Sequence, residues 1–338
     1  FTKGHPIKVL FALGLFTAVV SAFLDNVTTV ILIMPITFAI AKKLDIDPIP
    51  YLLTEIFASN IGGTATLIGD PPNIIIGSAG NLSFMDFVKE LTPVVAIILF
   101  VVVVALALLF KKKLVASPEK MAEVANIDNS NTITNKNLML RSTIVLALVI
   151  LGFMTHDITH LETCVVAMLG ASVLLLFEKP TEILRDVEWN TIFFLIGLFI
   201  IIGGLEASGG IKLMAEWILK VTQGSQTATS MLILWASGII SGIIDNIPYT
   251  ATMAPMLVEI QKTMGATYTY PLWWALSLGA CLGGNMTIIG AAANVIVSEN
   301  ASKEGYPISF MRFLKYGVCI VTVSLIISTA YVYLRFLK

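Results

Sequence analysis

The chain has 338 residues, 57% of them hydrophobic and 13% charged, with a net charge of −1 and a mean hydropathy of +0.88. Soluble domains carry about 25% charged residues, so an ordinary soluble protein is excluded, and basic residues confined to segment ends leave no footprint for nucleic acid. A spanning helix needs roughly 20 mostly apolar residues, and the many such runs here define an all-α polytopic membrane protein.

In chain order, the first apolar stretch covers 7–41 and is interrupted by Asp25-Asn26, which predicts a re-entrant hairpin with a polar tip. A polar turn at 42–50 follows. Residues 51–79 are long enough to span but are broken by SNIGGTATLIGDPPN at 59–73. Residues 81–90 read as interfacial and 92–110 as a clean span. The stretch 111–137 is hydrophilic, opens on three lysines, and reads as a linker between halves. Scaffold helices fill 138–205, with spans at 138–155, 161–177 and 189–205 and a charged connection at 178–188. Residues 211–222 carry Lys212, Glu216 and Lys220 four apart, the pattern of an amphipathic helix lying in the interface. A second hairpin at 227–260 turns at Asp245-Asn246, a second broken span occupies 271–299, and the last helix runs over 309–334.

The excess of lysine in 111–137 places that linker, and by counting back the Lys42-Lys43 turn, on the cytoplasmic side. Counting forward puts the carboxyl end outside, against the sign of Arg335 and Lys338. His156 and His160, four apart in an outer turn, read as a solvated loop. Cys164, Cys281 and Cys319 are scattered through apolar runs with no metal or disulfide spacing and read as buried small hydrophobes. No signal-peptide pattern stands at the start.

Two segments recur. SAFLDNVTTVILIMPI at 21–36 aligns with SGIIDNIPYTATMAPM at 241–256, and GGTATLIGDPPN at 62–73 aligns with GGNMTIIGAAAN at 283–294. The matches share order and nearly the same offset. An odd number of expected crossings separates equivalent points, so the halves, 1–110 and 138–338, form an inverted repeat. Paired interrupted helices in inverted halves point to the binding site of a secondary transporter. The second half has further helices ahead of its hairpin, so the first is expected to lack its amino-terminal counterparts.

A bilayer offers no water to free N–H and C=O groups, so broken backbone survives only when buried or lining a wet cavity. In 59–73, glycines allow the turn and Pro71-Pro72 hold Asp70 out of helical geometry. The exposed carbonyls of one half-helix favour cations and the amides of the next favour anions. Asp25 and Asp245 at the hairpin tips are costly in a bilayer, roughly 2.5–3.5 kcal/mol on insertion scales. Each can also cap the second arm of its hairpin. The expected ion site comprises Asp25, Asn26, Thr29, Ser59, Asn60, Thr64, Thr66, Asp70, Asn73, Asp245, Asn246, Thr250, Asn285, Thr287 and Asn294. Sodium, if bound, would sit among Asp25, Asn26, Asp70, Asp245 and Asn246, and no other cofactor is implied. Asp70 has no acidic partner, its match being Ala291, which suits one task such as proton or sodium coupling. No Lys or Arg lies in the four motif segments, which favours a cation, a proton or a neutral hydroxide as cargo over a multivalent anion. Cys281, near the second break, could touch a thiophilic metalloid.

At Asp25-Asn26, SNIGGTATLIGDPPN and Asp245-Asn246 the chain resembles the permeases grouped with arsenite efflux pumps, NhaD-type sodium–proton antiporters and the melanosomal P protein, in the ion transporter superfamily. The resemblance covers essentially the whole chain. It implies an elevator-type homodimer, a multi-pass protein of the plasma membrane, in which a transport domain moves against a scaffold. Superfamily members with dicarboxylate substrates carry Ser-Asn-Thr at the hairpin tips. Here those places read Asp25-Asn26-Val27 and Asp245-Asn246-Ile247, which speaks against di- and tricarboxylates. Sodium–proton antiport and arsenite efflux are the leading readings, with sodium-coupled transport of a citrate-like anion the alternative. An ion channel, without exchange, is a third. An intramembrane aspartyl protease would need a Gly-x-Gly-Asp signature, and Leu67-Ile68-Gly69-Asp70 does not supply it.

Overall fold

The computed structural model describes residues 2–125, 135–159, 161–177, 179–185 and 187–338. His160 and the centre of the expected linker lie outside them. All regular structure among the described residues is helical. The first half runs α1 (Pro6–Ser21), α2 (Asn26–Leu44), α3 (Ile49–Gly63), α4 (Pro71–Gly80), α5 (Phe84–Glu90) and α6 (Thr92–Phe110), followed by α7 (Pro118–Ala125). Then come α8 (Lys136–Met154), the single turn α9 (His156–Thr159), α10 (Thr163–Leu175), the single turn α11 (Pro180–Ile183) and α12 (Trp189–Ala207). The second half closes with α13 (Gly210–Val221), α14 (Gln226–Ile240), α15 (Asn246–Met264), α16 (Ala266–Gly283), α17 (Ala292–Lys303) and α18 (Phe310–Val332). Five helices among the described residues are long and apolar enough to cross a membrane: α2, α6, α8, α12 and Phe310–Leu337.

The expected interruptions are where the helices end. α1 and α2 form one helical hairpin and α14 and α15 another, each closing at an Asp-Asn pair. α3 stops at Gly63 and α4 restarts at Pro71; α16 stops at Gly283 and α17 restarts at Ala292. Two glycines explain how hairpin and broken helix approach so closely. A Cβ on Gly62 would lie 2.2 Å from the carbonyl oxygen of Ala18, and one on Gly283 would lie 2.6 Å from that of Gly238. The halves also interlock, since α4 packs on α15 while α17 packs on α2 and α3. Phe87 meets Trp274 edge-on at 5.2 Å and Phe57 meets Phe313 at 5.3 Å, so aromatic contacts tie the two halves into one core.

Two details differ from the sequence reading. α16 begins at Ala266, ahead of the expected 271, because Pro271 sits inside the helix rather than at its start. Proline cannot donate to the carbonyl four residues back, and Gln226 Nε2 donates to that Thr267 carbonyl instead, at 3.2 Å. Cys281 is buried, but Cys164 and Cys319 are exposed. An apolar run in a membrane protein has a lipid-facing side, so apolar surroundings in sequence do not imply burial in protein. His156 Nδ1 lies 2.7 Å from the Leu161 carbonyl oxygen, a local turn contact.

The amphipathic stretch is α13, with Ile211, Ala215 and Ile218 buried and Lys212, Glu216 and Lys220 exposed. Lys120 of α7 pairs with Asp45 at the end of α2, and Arg312 of α18 lies 3.7 Å from Asp47. The lysine-rich segment and the base of the first hairpin are therefore neighbours.

Candidate functional site

Asp25 and Asp245 stand immediately before the second arms of their hairpins. Asp25 Oδ2 accepts the N–H groups of Val27 at 3.0 Å and Thr28 at 3.1 Å. Asp245 Oδ1 accepts that of Ile247 at 2.9 Å. Both carboxylates thus cap helix starts whose first amides have no partner within the helix. Each cap uses one oxygen and leaves the other without a hydrogen bond to the described residues.

The neighbouring asparagines turn inward. Asn26 Nδ2 lies 3.3 Å from Asp70 Oδ1 and 3.1 Å from Asn60 Oδ1. Asn246 Nδ2 lies 3.5 Å from both oxygens of Asp70. Asp70, fully buried, therefore receives one amide from each hairpin tip. Asn60 carries the network further, donating to Asn285 Oδ1 at 2.8 Å and Asn294 Oδ1 at 2.9 Å. Residues far apart in sequence, from both repeats, meet at one carboxylate.

Around this centre the two repeats use the same pins. Ser21 Oγ donates to the Ser59 carbonyl at 2.8 Å, and Ser241 Oγ to the Ala280 carbonyl at 2.5 Å. Thr66 Oγ1 donates to the Ala22 carbonyl, and Thr287 Oγ1 to that of Gly242 at 2.6 Å. Asn73 Nδ2 donates to the carbonyls of Thr64 (3.1 Å) and Thr66 (2.8 Å). Asn294 Nδ2 does the same for Gly284 and Thr287, both at 2.8 Å. An unpaired buried carbonyl costs about 1–3 kcal/mol, so these side chains hold the breaks open without leaving backbone acceptors bare.

A cavity of about 620 Å³ opens on this centre. Asp25, Asn26, Asp70, Asp245 and Asn246 line it, together with Pro71 and Ala292 at the starts of α4 and α17. Glu188, Asn190 and Thr191 complete its polar wall. Four carboxylates face the cavity and no Lys or Arg lines it. The carboxylates do not converge on one point: among the described residues no group of three or more His, Cys, Asp or Glu is close enough to hold a metal ion. A cation here would be shared between carboxylate, amide and backbone oxygens, which suits a weakly held alkali ion better than a fixed transition metal.

A family profile described as Citrate transporter matches residues 1–279. The chain belongs to that family. An uncharacterized transporter of Mycobacterium tuberculosis is 42% identical over 337 residues, covering 99% of this chain and 78% of that protein. The 46 kDa membrane protein of Mycobacterium leprae is 41% identical, covering 99% and 79%. The P protein of Mus musculus is 30% identical, covering 98% of this chain but 49% of its own length. Family membership and the apolar helices make this a multi-pass membrane transporter, in the group of permeases its motifs resemble.

Within this transporter the expected site residues fall into distinct places. Asp25, Asn26, Asp70, Asp245 and Asn246 form the cavity wall. Asn60, Asn285 and Asn294 stand behind them, joined by hydrogen bonds. Thr66, Asn73, Thr287 and the amide nitrogen of Asn294 are committed to backbone carbonyls. So are Thr64, which bonds the Asn60 carbonyl at 2.8 Å, and Ser59, which bonds that of Ile56 at 2.9 Å. Thr29 and Thr250 are buried with hydroxyls that have no partner among the described residues, and they do not line the cavity. Cys281 is not on its wall either; its Sγ lies 3.5 Å from Asn73 Oδ1. Sequence reasoning missed Glu188, Asn190 and Thr191, assigning Glu188 to a charged connection. The available signal was an acidic and an amide residue directly ahead of an apolar span, held by the bond of Thr191 Oγ1 to Glu188 Oε2 at 2.9 Å.

Proposed function

We propose that this protein is a secondary active transporter that carries a small cation, or a neutral hydroxide such as arsenite, in exchange with protons or sodium. The observation that carries this reading is the cavity wall: Asp25, Asp70, Asp245 and Glu188 with no basic side chain among the lining residues. Such a wall attracts cations and repels free multivalent anions. Asp70 is the coupling residue in this reading. A cation entering the cavity displaces the amides of Asn26 and Asn246 from its oxygens, and a proton or a second ion restores neutrality on the return. The hairpin tips release or hold the ion as re-entrant gates. Hairpins and broken helices move together, elevator fashion, against the scaffold α8, α10 and α12, in a homodimer of inverted-repeat protomers in the plasma membrane.

A second reading has its own support. The family profile bears the description Citrate transporter, and Ala292 at the start of α17 lines the cavity, offering helix-start amides that favour anions. A citrate-like anion would then bind at α17, with a co-bound cation between it and the aspartates.

Reconstitution in proteoliposomes with a pH-sensitive dye separates the readings. Sodium, lithium, arsenite, phosphate and citrate are added in turn. The first reading expects a proton signal with sodium, lithium or arsenite alone, abolished in Asp25→Asn and Asp245→Asn. A signal with citrate alone supports the second. Full-rate transport by both variants would remove Asp25 and Asp245 from the mechanism.

A further inference from the structure

Outside the cavity, a buried carboxyl group stands apart from the central network. Glu55 lies within α3 and is fully buried. Thr37 of α2, also fully buried, donates its hydroxyl to Glu55 Oε1. Glu55 Oε2 has no hydrogen-bond partner among the described residues. Among the described residues Glu55 makes no ion pair.

The internal repeat supplies a control. In the alignment that matches Ser21 with Ser241 and Gly62 with Gly283, Thr37 falls on Leu257 and Glu55 on Leu276. Both leucines are fully buried. The second repeat therefore fills the equivalent place with two apolar side chains, so packing between hairpin and broken helix does not require a hydroxyl and a carboxyl. An apolar pair of similar volume is commonly as stable as a buried polar or charged one, or more so. The polar pair in the first repeat is thus not explained by folding.

We propose that Glu55, with Thr37, is a proton-binding site of this transporter, separate from the Asp70 cavity. The step is the addition of one proton to a carboxylate oxygen, and its release. A metal ion fits poorly, since hard cations take about six or more oxygens, and among the described residues no second acidic or metal-ligating group joins Glu55 in a cluster. The helices packed on α3 bring no competing group to it. α6 and α16 carry no Lys, Arg, Asp or Glu. Lys8 of α1, Lys42 and Lys43 of α2, and Glu299 and Lys303 of α17 are exposed. Tyr51, the nearest titratable residue on α3, is tied through its hydroxyl to the Pro6 carbonyl at 3.0 Å. Glu55 lies five residues before Asn60, about 7.5 Å along the helix, between the Lys42-Lys43 end of the hairpin and the break. The site goes beyond the transport reading and does not depend on which ion the cavity carries.

The test is infrared difference spectroscopy of the purified full chain in lipid, stepped from alkaline to acidic pH without sodium. Glu55→Gln should lose one protonated-carboxyl band that the parent gains. Thr37→Val should keep that band but shift it, because the hydrogen bond is gone. Asp70→Asn should lose a different band, so failure of the cavity reading and failure of this one are distinguishable. The double change Thr37→Leu with Glu55→Leu, which copies the second repeat, should fold as the parent does and lose the same band. A Glu55→Gln or doubly changed protein whose spectrum matches the parent at every pH overturns the proposal. So does a band that responds to added sodium at constant pH.

Discussion

The two broken helices share one architecture and differ in chemistry. In both, a serine of the hairpin bonds the helix before the break, a threonine bonds the hairpin carbonyl, and an asparagine ties the carbonyls within the break. The differences cluster at the centre. Asn60 matches Cys281, Thr64 matches Asn285, Asp70 matches Ala291 and Pro71-Pro72 match Ala292-Ala293. What is duplicated holds the breaks open and brings Asp25 and Asp245 to the wall; what is not duplicated adds Asp70 to it. The first break presents a carboxylate beside a helix start stripped of two amide donors, and the second presents a helix start that keeps them. In the proposed transport reading the first side suits a cation and the second is where an anion would find amides.

The largest effects should come from changes that test the shared architecture. Gly62→Ala and Gly283→Ala each push a Cβ into backbone of the crossing hairpin arm, which cannot give as a side chain can. Each should lower stability by about 3 kcal/mol and sharply reduce the yield of folded protein on size-exclusion chromatography. Near-equal losses would confirm that the two crossings are equivalent; a harmless change at one would break the comparison.

Asn73→Ala and Asn294→Ala come next. Each leaves two buried carbonyls unpaired, at a cost of about 2–3 kcal/mol in thermal unfolding. Asp70→Asn should part company with both. It replaces a buried carboxyl with an amide of the same shape, so the melting temperature should hold or rise while ion-dependent proton flux disappears. An Asp70→Asn protein that unfolds as easily as Asn73→Ala would make Asp70 a structural residue.

The smallest effect lies outside the membrane. The Lys120 ammonium beside Asp45 holds that carboxyl below its usual range. A lowered folded-state value means that the contribution is present at pH above the ordinary carboxylate range and is lost as pH falls through the folded value. Lys120→Ala should therefore narrow the stability difference between neutral and acidic pH slightly, by an amount that salt screens. An identical pH profile would show that the ion pair does not anchor α7.

Much of this was legible in the sequence. Asp-Asn inside apolar runs and Gly-Gly followed by Pro-Pro or Ala-Ala are poor material for a continuous helix, and the helices end within a few residues of them. The alignment of 21–36 with 241–256 also showed which residues would be equivalent. It could not show which polar atoms face the cavity and which are consumed by backbone. Thr66, Asn73, Thr287 and Asn294 look like ligands in one dimension, and their partners, carbonyls of neighbouring turns, become visible only when the break is folded. Glu188 was hidden for the opposite reason. It precedes α12 with no motif around it, and only the fold brings it to the cavity that the hairpin tips line. Glu55, one acid in an apolar helix, became informative through its match to Leu276 and its pairing with Thr37.

The central claim is that the tips of both hairpins meet at one carboxylate. Asn26 and Asn246 both reach Asp70, so cysteines at 26 and 246 are close enough for a short thiol-to-thiol bridge. With Cys164, Cys281 and Cys319 changed to serine and such a reagent added, mass spectrometry should find the two peptides joined within one protomer, and Asp70→Asn should leave the bridge intact. Absence of that bridge in folded protein, with each cysteine separately labelled, would mean that the two repeats do not share a pocket.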